Sequence, residues 1–191
     1  MTKRRGLLVV ISGPSGVGKD TIIKRLLKLD PLLTYSVSCT TRAPRPGEVD
    51  GVHYRFVSRE EFKELVGKGH FLEHASYNEH LYGTPAGPVE EARTAGHDIL
   101  LKIEVRGAQQ VREGVSDGLF IFIAPPNDEE LARRQALRGG ESEKDMAERL
   151  RIAAKEMSYA RDYDHVVVND DLDRAVAEVL EIIRRAREGQ T

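Results

Sequence analysis

The stretch LLVVISGPSGVGKDT, residues 7–21, joins a short apolar run to a glycine-rich loop and then to a helical pattern. The run from Leu7 to Ile11 is typical of a strand that is buried on both faces. The helical pattern extends from Thr21 to Leu29 and stops at Asp30-Pro31, because the residue before a proline disfavours helical geometry. Strand, glycine loop and helix in this order predict the opening unit of an α/β fold.

The loop between the two elements has the spacing G-x-x-x-x-G-K from Gly13 to Lys19. Its glycines let backbone N–H groups converge on an anion, and its lysine can reach the β- and γ-phosphates of a nucleotide. The alternative is a glycine turn beside a surface lysine, and the strand and helix on either side disfavour it. The predicted ATP-binding residues of this phosphate loop are Gly13, Pro14, Ser15, Gly16, Val17, Gly18, Lys19, Asp20 and Thr21.

Asp20 departs from the usual pattern of this loop. It occupies the position where serine or threonine would offer a hydroxyl to Mg²⁺, and Thr21 follows one residue later. A carboxylate at this point repels a triphosphate unless a cation lies between them. We therefore predict that Mg²⁺ binds through the ATP phosphates, with Asp20 as the candidate protein ligand.

Three further apolar runs alternate with helical patterns, at Ile99 to Ile103, Leu119 to Ala124 and His165 to Val168. This alternation is the signature of a parallel sheet that is covered by helices on both faces. The last helical pattern, Leu172 to Arg187, has one apolar face that can close the core. The sequence thus predicts an α/β fold with the phosphate loop in a parallel-sheet core.

An inserted α+β lobe is predicted over residues 36–88. Two short strand patterns, Ser36 to Thr40 and Val52 to Val57, are followed by a helix that a capping box opens at Ser58 and Glu61.

A helical lid is predicted over residues 127–158. Asn127 and Ser142 are the expected N-caps of two helices, and the Pro125-Pro126 pair before them resembles a hinge. The first helix carries arginines towards its end, at positions 133, 134 and 138. The predicted division is a core of residues 1–35, 89–126 and 159–191, an inserted lobe of residues 36–88, and a lid of residues 127–158.

Composition limits the remaining function classes. The chain of 191 residues is long enough to bury its own core. Its formal net charge of −2 disfavours sequence-independent nucleic-acid binding, which needs a basic excess. No apolar run reaches the length of a membrane span, and the single cysteine, Cys39, excludes an intrachain disulfide. We expect a cytoplasmic protein that binds neither nucleic acid nor membrane.

Five segments together resemble the guanylate kinases in order and spacing. They are Gly13 to Lys19, Ser36 to Glu48, Tyr82-Gly83-Thr84, Ile123 to Pro126, and Val168 to Asp171. The resemblance extends from about residue 7 to residue 185. It implies a core, a GMP-binding lobe and a lid, transfer of the γ-phosphoryl group of ATP to GMP with Mg²⁺, a step in guanine nucleotide recycling, and a monomer or homodimer.

The inserted lobe contains a candidate clamp for a monophosphate. Arg42 and Arg45 lie three residues apart in a proline-containing loop, and arginine forks suit bidentate contact with phosphate. Phenols such as Tyr54 and Tyr82 can add hydrogen-bond donors. Guanine presents an O6 acceptor beside N1–H and N2–H₂ donors, and the resemblance assigns its recognition to Ser38, Glu73, Thr84 and Glu104.

The acceptor oxygen of GMP is already largely ionised near neutral pH, so we predict no general base. Catalysis should then consist of positioning and charge neutralisation. Lys19 and Mg²⁺ would hold the donor, and Arg42 and Arg45 the acceptor. The resemblance adds Arg134, Arg138 and Arg149 from the lid, and it places Asn169 and Asp171 near the adenine.

The resemblance also marks Lys102 as a departure, because many relatives carry an aspartate near the metal at this position. The presence of an acidic residue at position 20 together with a basic residue at position 102 can be explained in two ways. Either Asp20 and Lys102 pair, or Asp20 coordinates the metal while Lys102 replaces part of the positive charge.

Two alternative functions stay open. One is a guanylate-kinase-like module that binds a phosphorylated partner without turnover, and the other is a kinase for a different monophosphate. A GTPase is excluded, since the sequence contains no N-K-x-D guanine motif.

Overall fold

The computed structural model describes residues 4–77, 79–136 and 151–189. Nine strands and seven helices are found in these ranges, together with a short 3₁₀ turn at Ala160–Asp162. The strands are β1 (Leu8–Ser12), β2 (Leu33–Tyr35), β3 (Cys39–Thr40), β4 (Arg55–Phe56), β5 (Phe71–Tyr77), β6 (His80–Pro85), β7 (Asp98–Lys102), β8 (Gly118–Ala124) and β9 (His165–Val168). The helices are α1 (Lys19–Leu29), α2 (Arg59–Gly67), α3 (Ala86–Thr94), α4 (Val105–Gly114), α5 (Asp128–Ala136), α6 (a helical segment at 151–157) and α7 (Leu172–Glu188).

The core is a five-stranded parallel sheet in the order β2-β7-β1-β8-β9. Alternate side chains of β1 enter two different apolar clusters, because successive residues of a strand point to opposite faces. Val9 and Ile11 pack with buried residues of α1 and α7, whereas Leu8 and Val10 pack with those of α3 and α4. The predicted parallel sheet with helices on both faces is confirmed.

A second sheet of four strands, in the order β4-β3-β6-β5, is formed by residues between β2 and α3. The strands β5 and β6 form an antiparallel hairpin, and β3 pairs with β6 on one side and with β4 on the other. The two strands predicted here are shorter than expected, since the longer patterns reduce to Cys39–Thr40 and Arg55–Phe56. The prediction named neither the hairpin nor β2 as strands.

Two predicted helix starts are confirmed by their capping hydrogen bonds. Ser58 Oγ accepts from the N–H of Glu61 at 3.0 Å, and Asn127 Oδ1 accepts from the N–H of Glu130 at 2.8 Å. The third predicted cap, Ser142, lies outside the described residues. Over the ranges that the structure describes, no helix is both long and apolar enough to cross a bilayer.

Candidate active site

The phosphate loop turns sharply between β1 and α1, and its glycines have positive φ angles. Gly18, the N-cap of α1, has a φ of 101°. A Cβ atom at Gly13 would lie 2.2 Å from the carbonyl oxygen of Ile123 in β8. Only glycine accepts this combination of left-handed geometry and close backbone approach. The loop conformation therefore depends on the glycines of the motif.

Three side chains from outside the loop bind its carbonyl groups. Gln135 of α5 donates Nε2–H to Ser15 O at 2.8 Å, and Asn169 donates Nδ2–H to Val17 O at 2.8 Å. Arg134 bridges Val17 O and Asn169 O at 3.3 and 3.0 Å. The structure thus brings the predicted residues Arg134 and Asn169 to the loop. Gln135 was not predicted, because nothing in its sequence context separates it from a surface glutamine.

Lys19 lies over the loop and donates from Nζ to the carbonyl oxygens of Gly13 and Pro14, the latter at 2.9 Å. Burial lowers the pKa of Lys19 to about 8, although the carboxylates of Glu156, Asp20 and Glu104 oppose the shift. Burial in turn raises the pKa of Glu156 to about 7 and raises the pKa of Glu104. The positive charge of Lys19 is therefore partly offset by nearby acidic side chains.

Asp20 and Lys102 form an ion pair, with Oδ1 and Nζ 2.6 Å apart. Lys102 ends β7, and its partner in the parallel register is Ile11, which lies just before the phosphate loop. The pairing suggested by the sequence is present. The Asp20 side chain is 70% exposed, so the same carboxylate faces the solvent in front of the loop.

The side chains around Lys19 fit a magnesium ion that arrives with a nucleotide. Mg²⁺ prefers oxygen ligands, and in kinase sites it takes one or two of them from protein carboxylates and the others from phosphates and water. Asp20 and Glu104 supply such carboxylates near Lys19. Within the described ranges no three acidic, histidine or cysteine side chains cluster as a preformed metal cage. This donor set matches binding through ATP phosphates.

The predicted monophosphate clamp is organised around Glu48. Arg42 donates to both Glu48 oxygens at 2.9 and 2.8 Å, and the backbone N–H of Arg45 donates to the same carboxylate at 2.7 Å. These bonds lower the pKa of Glu48 to about 2. The Arg42 guanidinium lies 5.4 Å from the Tyr54 ring centre, and the Tyr54 and Tyr82 rings are 6.0 Å apart. Arg42 and the two tyrosines are therefore brought together, whereas Arg45 is exposed and contributes its backbone.

Glu73 and Thr84 meet across the β5–β6 hairpin, where they are register partners. Thr84 Oγ1 donates to Glu73 Oε1 at 2.6 Å. Glu73 is only 5% exposed, and burial raises its pKa, while Glu104 raises it further by charge repulsion. Ser38 lies directly before β3 and is half-buried. A buried carboxylate with one oxygen oriented by a hydroxyl can accept hydrogen bonds from a nucleobase.

The remaining predicted residues have different positions. Asp171 is the N-cap of α7, where its Oδ1 accepts from the N–H of Arg174 at 2.9 Å. Thr21 is exposed on the first turn of α1. Arg138 and Arg149, the other two predicted lid arginines, lie outside the described residues.

Comparisons with known proteins agree with this geometry. The family model described as "Guanylate kinase" matches residues 5–186. A guanylate kinase from Desulfitobacterium hafniense is 48% identical over 96% of this chain and 92% of its own length. One from Rubrobacter xylanophilus is 50% identical over 95% of both chains. The crystal structure of guanylate kinase from Anaplasma phagocytophilum superposes with a TM-score of 0.80 at 37% identity, covering 97% of this chain and 88% of that one. With the phosphate loop, the arginine–tyrosine cluster and the buried Glu73–Thr84 pair, these matches show that the chain belongs to the guanylate kinase family.

Proposed function

We propose that this protein transfers the γ-phosphoryl group of ATP to GMP and releases ADP and GDP, a step in guanine nucleotide recycling. The observation that carries the proposal is the course of the chain from β7 into α4. Ser12, directly before the phosphate loop, donates Oγ–H to Ile103 O at 2.9 Å, and one turn further on Gly107 lies against the Glu73 carboxylate. A donor site at the phosphate loop and a base-reading site at Glu73 are thus adjacent. Such adjacency is what direct transfer between two nucleotides requires.

In the proposed mechanism the chain positions two anions and neutralises their charge. Lys19 leaves the loop carbonyls to contact the β- and γ-phosphates of ATP, and Arg134 adds positive charge beside the loop. Asp20 would be the candidate protein ligand of Mg²⁺, which would supply further positive charge to the donor phosphates. The phosphate of GMP is already ionised, so no residue needs to remove a proton.

Arg42 is proposed to hold the GMP phosphate together with Tyr54 and Tyr82. Glu48 orients the Arg42 fork by two hydrogen bonds, which reduces the freedom that the side chain would lose when phosphate binds. Arg45 would add a second fork, because its exposed side chain is available on the same loop.

Glu73 is proposed to accept from the N1–H and N2–H₂ groups of guanine, with Ser38 and Thr84 as hydroxyl partners and Glu104 as a further acceptor. Adenine presents the opposite pattern. It would leave buried polar groups unpaired at a cost of about 1–3 kcal/mol for each group.

We further assign the acceptor lobe to residues 36–88 and the lid to residues 127–158, with the core in residues 1–35, 89–126 and 159–191. Arg138 and Arg149 would approach the phosphates from the lid, and Asn169 and Asp171 would lie at the adenine end. We expect a cytoplasmic protein that is a monomer or a homodimer.

The test is to incubate the full chain with ATP, Mg²⁺ and each of GMP, AMP, UMP and CMP, and to follow ADP formation. The expected result is turnover that is selective for GMP. A Glu73→Gln variant should lose most of this selectivity, because one of the two carboxylate oxygens is replaced by an NH₂ group, which cannot accept from a guanine donor. Tight GMP binding without turnover would instead favour a binding module, and selectivity for another acceptor would favour a different monophosphate kinase.

A further inference from the structure

Helix α4 connects the phosphate-loop core to the second sheet. It begins directly after Glu104 and packs against β5, the strand that carries Glu73. Glu104, Gly107 and Gln110 follow one another at intervals of three residues, so they share one face of the helix. This face is directed towards β5, because Gly107 and Gln110 both contact it.

Gly107 makes room for the Glu73 carboxylate. A Cβ atom built on Gly107 would lie 2.5 Å from Glu73 Oε2 and 3.0 Å from its Cδ. Glycine is a poor helix former, so a buried glycine inside a helix indicates a close approach by a neighbour. Here the neighbour is the end of a side chain that can rotate. An added methyl group would therefore displace the carboxylate while the helix stays in place.

Gln110 joins the same helix to the neighbouring backbone of β5. Its Oε1 accepts from the N–H of His74 at 3.1 Å, and its Nε2 donates to the carbonyl oxygen of His74 at 3.1 Å. A side-chain amide that is bound to both backbone polar groups of one residue fixes the position and orientation of the strand backbone at that residue. His74 follows Glu73 directly, so these bonds also locate the base-reading residue.

We propose that Gly107 and Gln110 are positioning residues that determine how strongly the site prefers guanine over a purine without the 2-amino group. Glu73 is held between two contacts. Thr84 donates a hydrogen bond to Oε1 at 2.6 Å, and Oε2 occupies the space that Gly107 leaves by having no side chain. The inference rests on the proposed function, because it assumes that Glu73 reads the base.

The test compares Gly107→Ala with Gly114→Ala. Both residues lie in α4, but a Cβ at Gly114 would meet nothing within 4 Å, so the control variant adds the same methyl group without displacing a neighbour. Affinities for GMP and IMP are measured by calorimetry, and kcat and KM are measured for both acceptors and for ATP. Circular dichroism verifies that each variant is folded.

In Gly107→Ala we expect the affinity for GMP to fall about 10- to 100-fold, the size of loss expected when a hydrogen bond to a buried charged group is broken. IMP lacks the 2-amino group, so its affinity should fall much less, and the preference for GMP over IMP should shrink. The loss should lie in KM for the acceptor, with KM for ATP unchanged. Gly114→Ala should behave as the wild type.

Gln110→Glu provides a second variant in case Gly107→Ala does not fold. It keeps the acceptor for the His74 N–H but cannot donate to the His74 carbonyl, so an intermediate loss of GMP preference is expected. Equal losses for GMP and IMP, or an unchanged GMP-to-IMP ratio in both folded variants, would overturn the inference. Calorimetry keeps this outcome separate from failure of the proposed reaction, which would appear as absent turnover in the wild type.

Discussion

Lys19 combines a positive charge with a half-buried position beside the loop, and partial desolvation lowers its pKa to about 8. Below this pH the ammonium form dominates in the free protein and can attract the donor phosphates. Above this pH the neutral amine dominates in the folded protein, whereas an exposed lysine would still be charged, because burial favours the uncharged form.

We therefore expect kcat/KM for ATP to fall as pH rises through about 8, since this parameter reports the groups of the free enzyme. At saturating ATP the fall should move to higher pH, because bound phosphates favour the charged amine. Glu156 is the carboxylate that does most to raise the pKa of Lys19 against the effect of burial. In Glu156→Gln the fall in kcat/KM should therefore begin at lower pH. Parallel pH profiles of the two proteins check this, and coinciding profiles would contradict the assignment.

A second consequence concerns Asp20 and Lys102. In the wild type the two charges cancel, whereas Asp20→Ser leaves +1, Lys102→Asp leaves −2, and the double variant leaves −1 without the like-charge contact that Lys102→Asp alone would create. In a double-mutant cycle on Asp20→Ser and Lys102→Asp, we expect a coupling of about 0.5–3 kcal/mol in kcat/KM.

The same cycle on the free energy of unfolding should give about 1 kcal/mol or less, because Asp20 is largely exposed. Steady-state kinetics and urea unfolding supply the two measurements. Additive effects on kcat/KM would show that the pair has no joint role in activity.

Helix α5 and the segment after β9 support the phosphate loop from one side. Gln135 is 4% exposed and donates to Ser15 O, and within the described ranges its Oε1 has no hydrogen-bond partner. A buried amide oxygen without a hydrogen-bond partner is uncommon in folded proteins and calls for an explanation. The bond that the other end of this amide makes to the loop supplies one. We interpret this side chain as a link between α5 and the loop.

Gln135→Ala should thus destabilise the protein by about 1–3 kcal/mol, because the Ser15 carbonyl loses its partner. KM for ATP should increase, while KM for GMP stays near its original value. Gln109→Ala, at an exposed position of α4, is the control and should change neither. Urea unfolding and initial rates provide the test, and an unaltered KM for ATP would refute the link.

Arg4 and Arg187 meet at the amino-terminal end of the core strands, which is opposite the phosphate loop. Asp98, at the start of β7, is fully buried and binds Arg4, Arg187 and the N–H of Leu7. Arg187 of α7 also pairs with Asp30, at the end of α1. This network connects the first strand, the sheet and the last helix.

Asp98→Asn should lower the free energy of unfolding by about 3–5 kcal/mol, because it removes the negative charge of a fully buried carboxylate that pairs with two partly buried arginines. Asp173→Asn, which breaks the exposed pair with Arg25, should change it by about 0.5 kcal/mol or less. Chemical unfolding distinguishes the two variants. Under conditions where Asp98→Asn is folded, its kcat/KM should be near the wild-type value, and a large loss there would imply that the network also shapes the site.

Local patterns were sufficient to predict much of the fold. The five-residue apolar run before Gly13, the turn that needs glycine, and the caps Ser58 and Asn127 depend on residues that are near one another in sequence. The short strand β2 and the β5–β6 hairpin were missed, because their residues are stabilised by pairing with distant strands more than by their own pattern.

The site divides in the same way. The phosphate loop is a local motif, so its chemistry could be read from consecutive residues, and the family motifs indicated Arg42, Glu73 and Thr84. The roles of Gln135 and Gly107 became visible only in three dimensions. Gln135 contacts a residue 120 positions away, and Gly107 matters through the space that it leaves beside Glu73. Such contacts depend on how helices and strands pack, which tertiary structure alone decides because no short stretch of chain contains both partners.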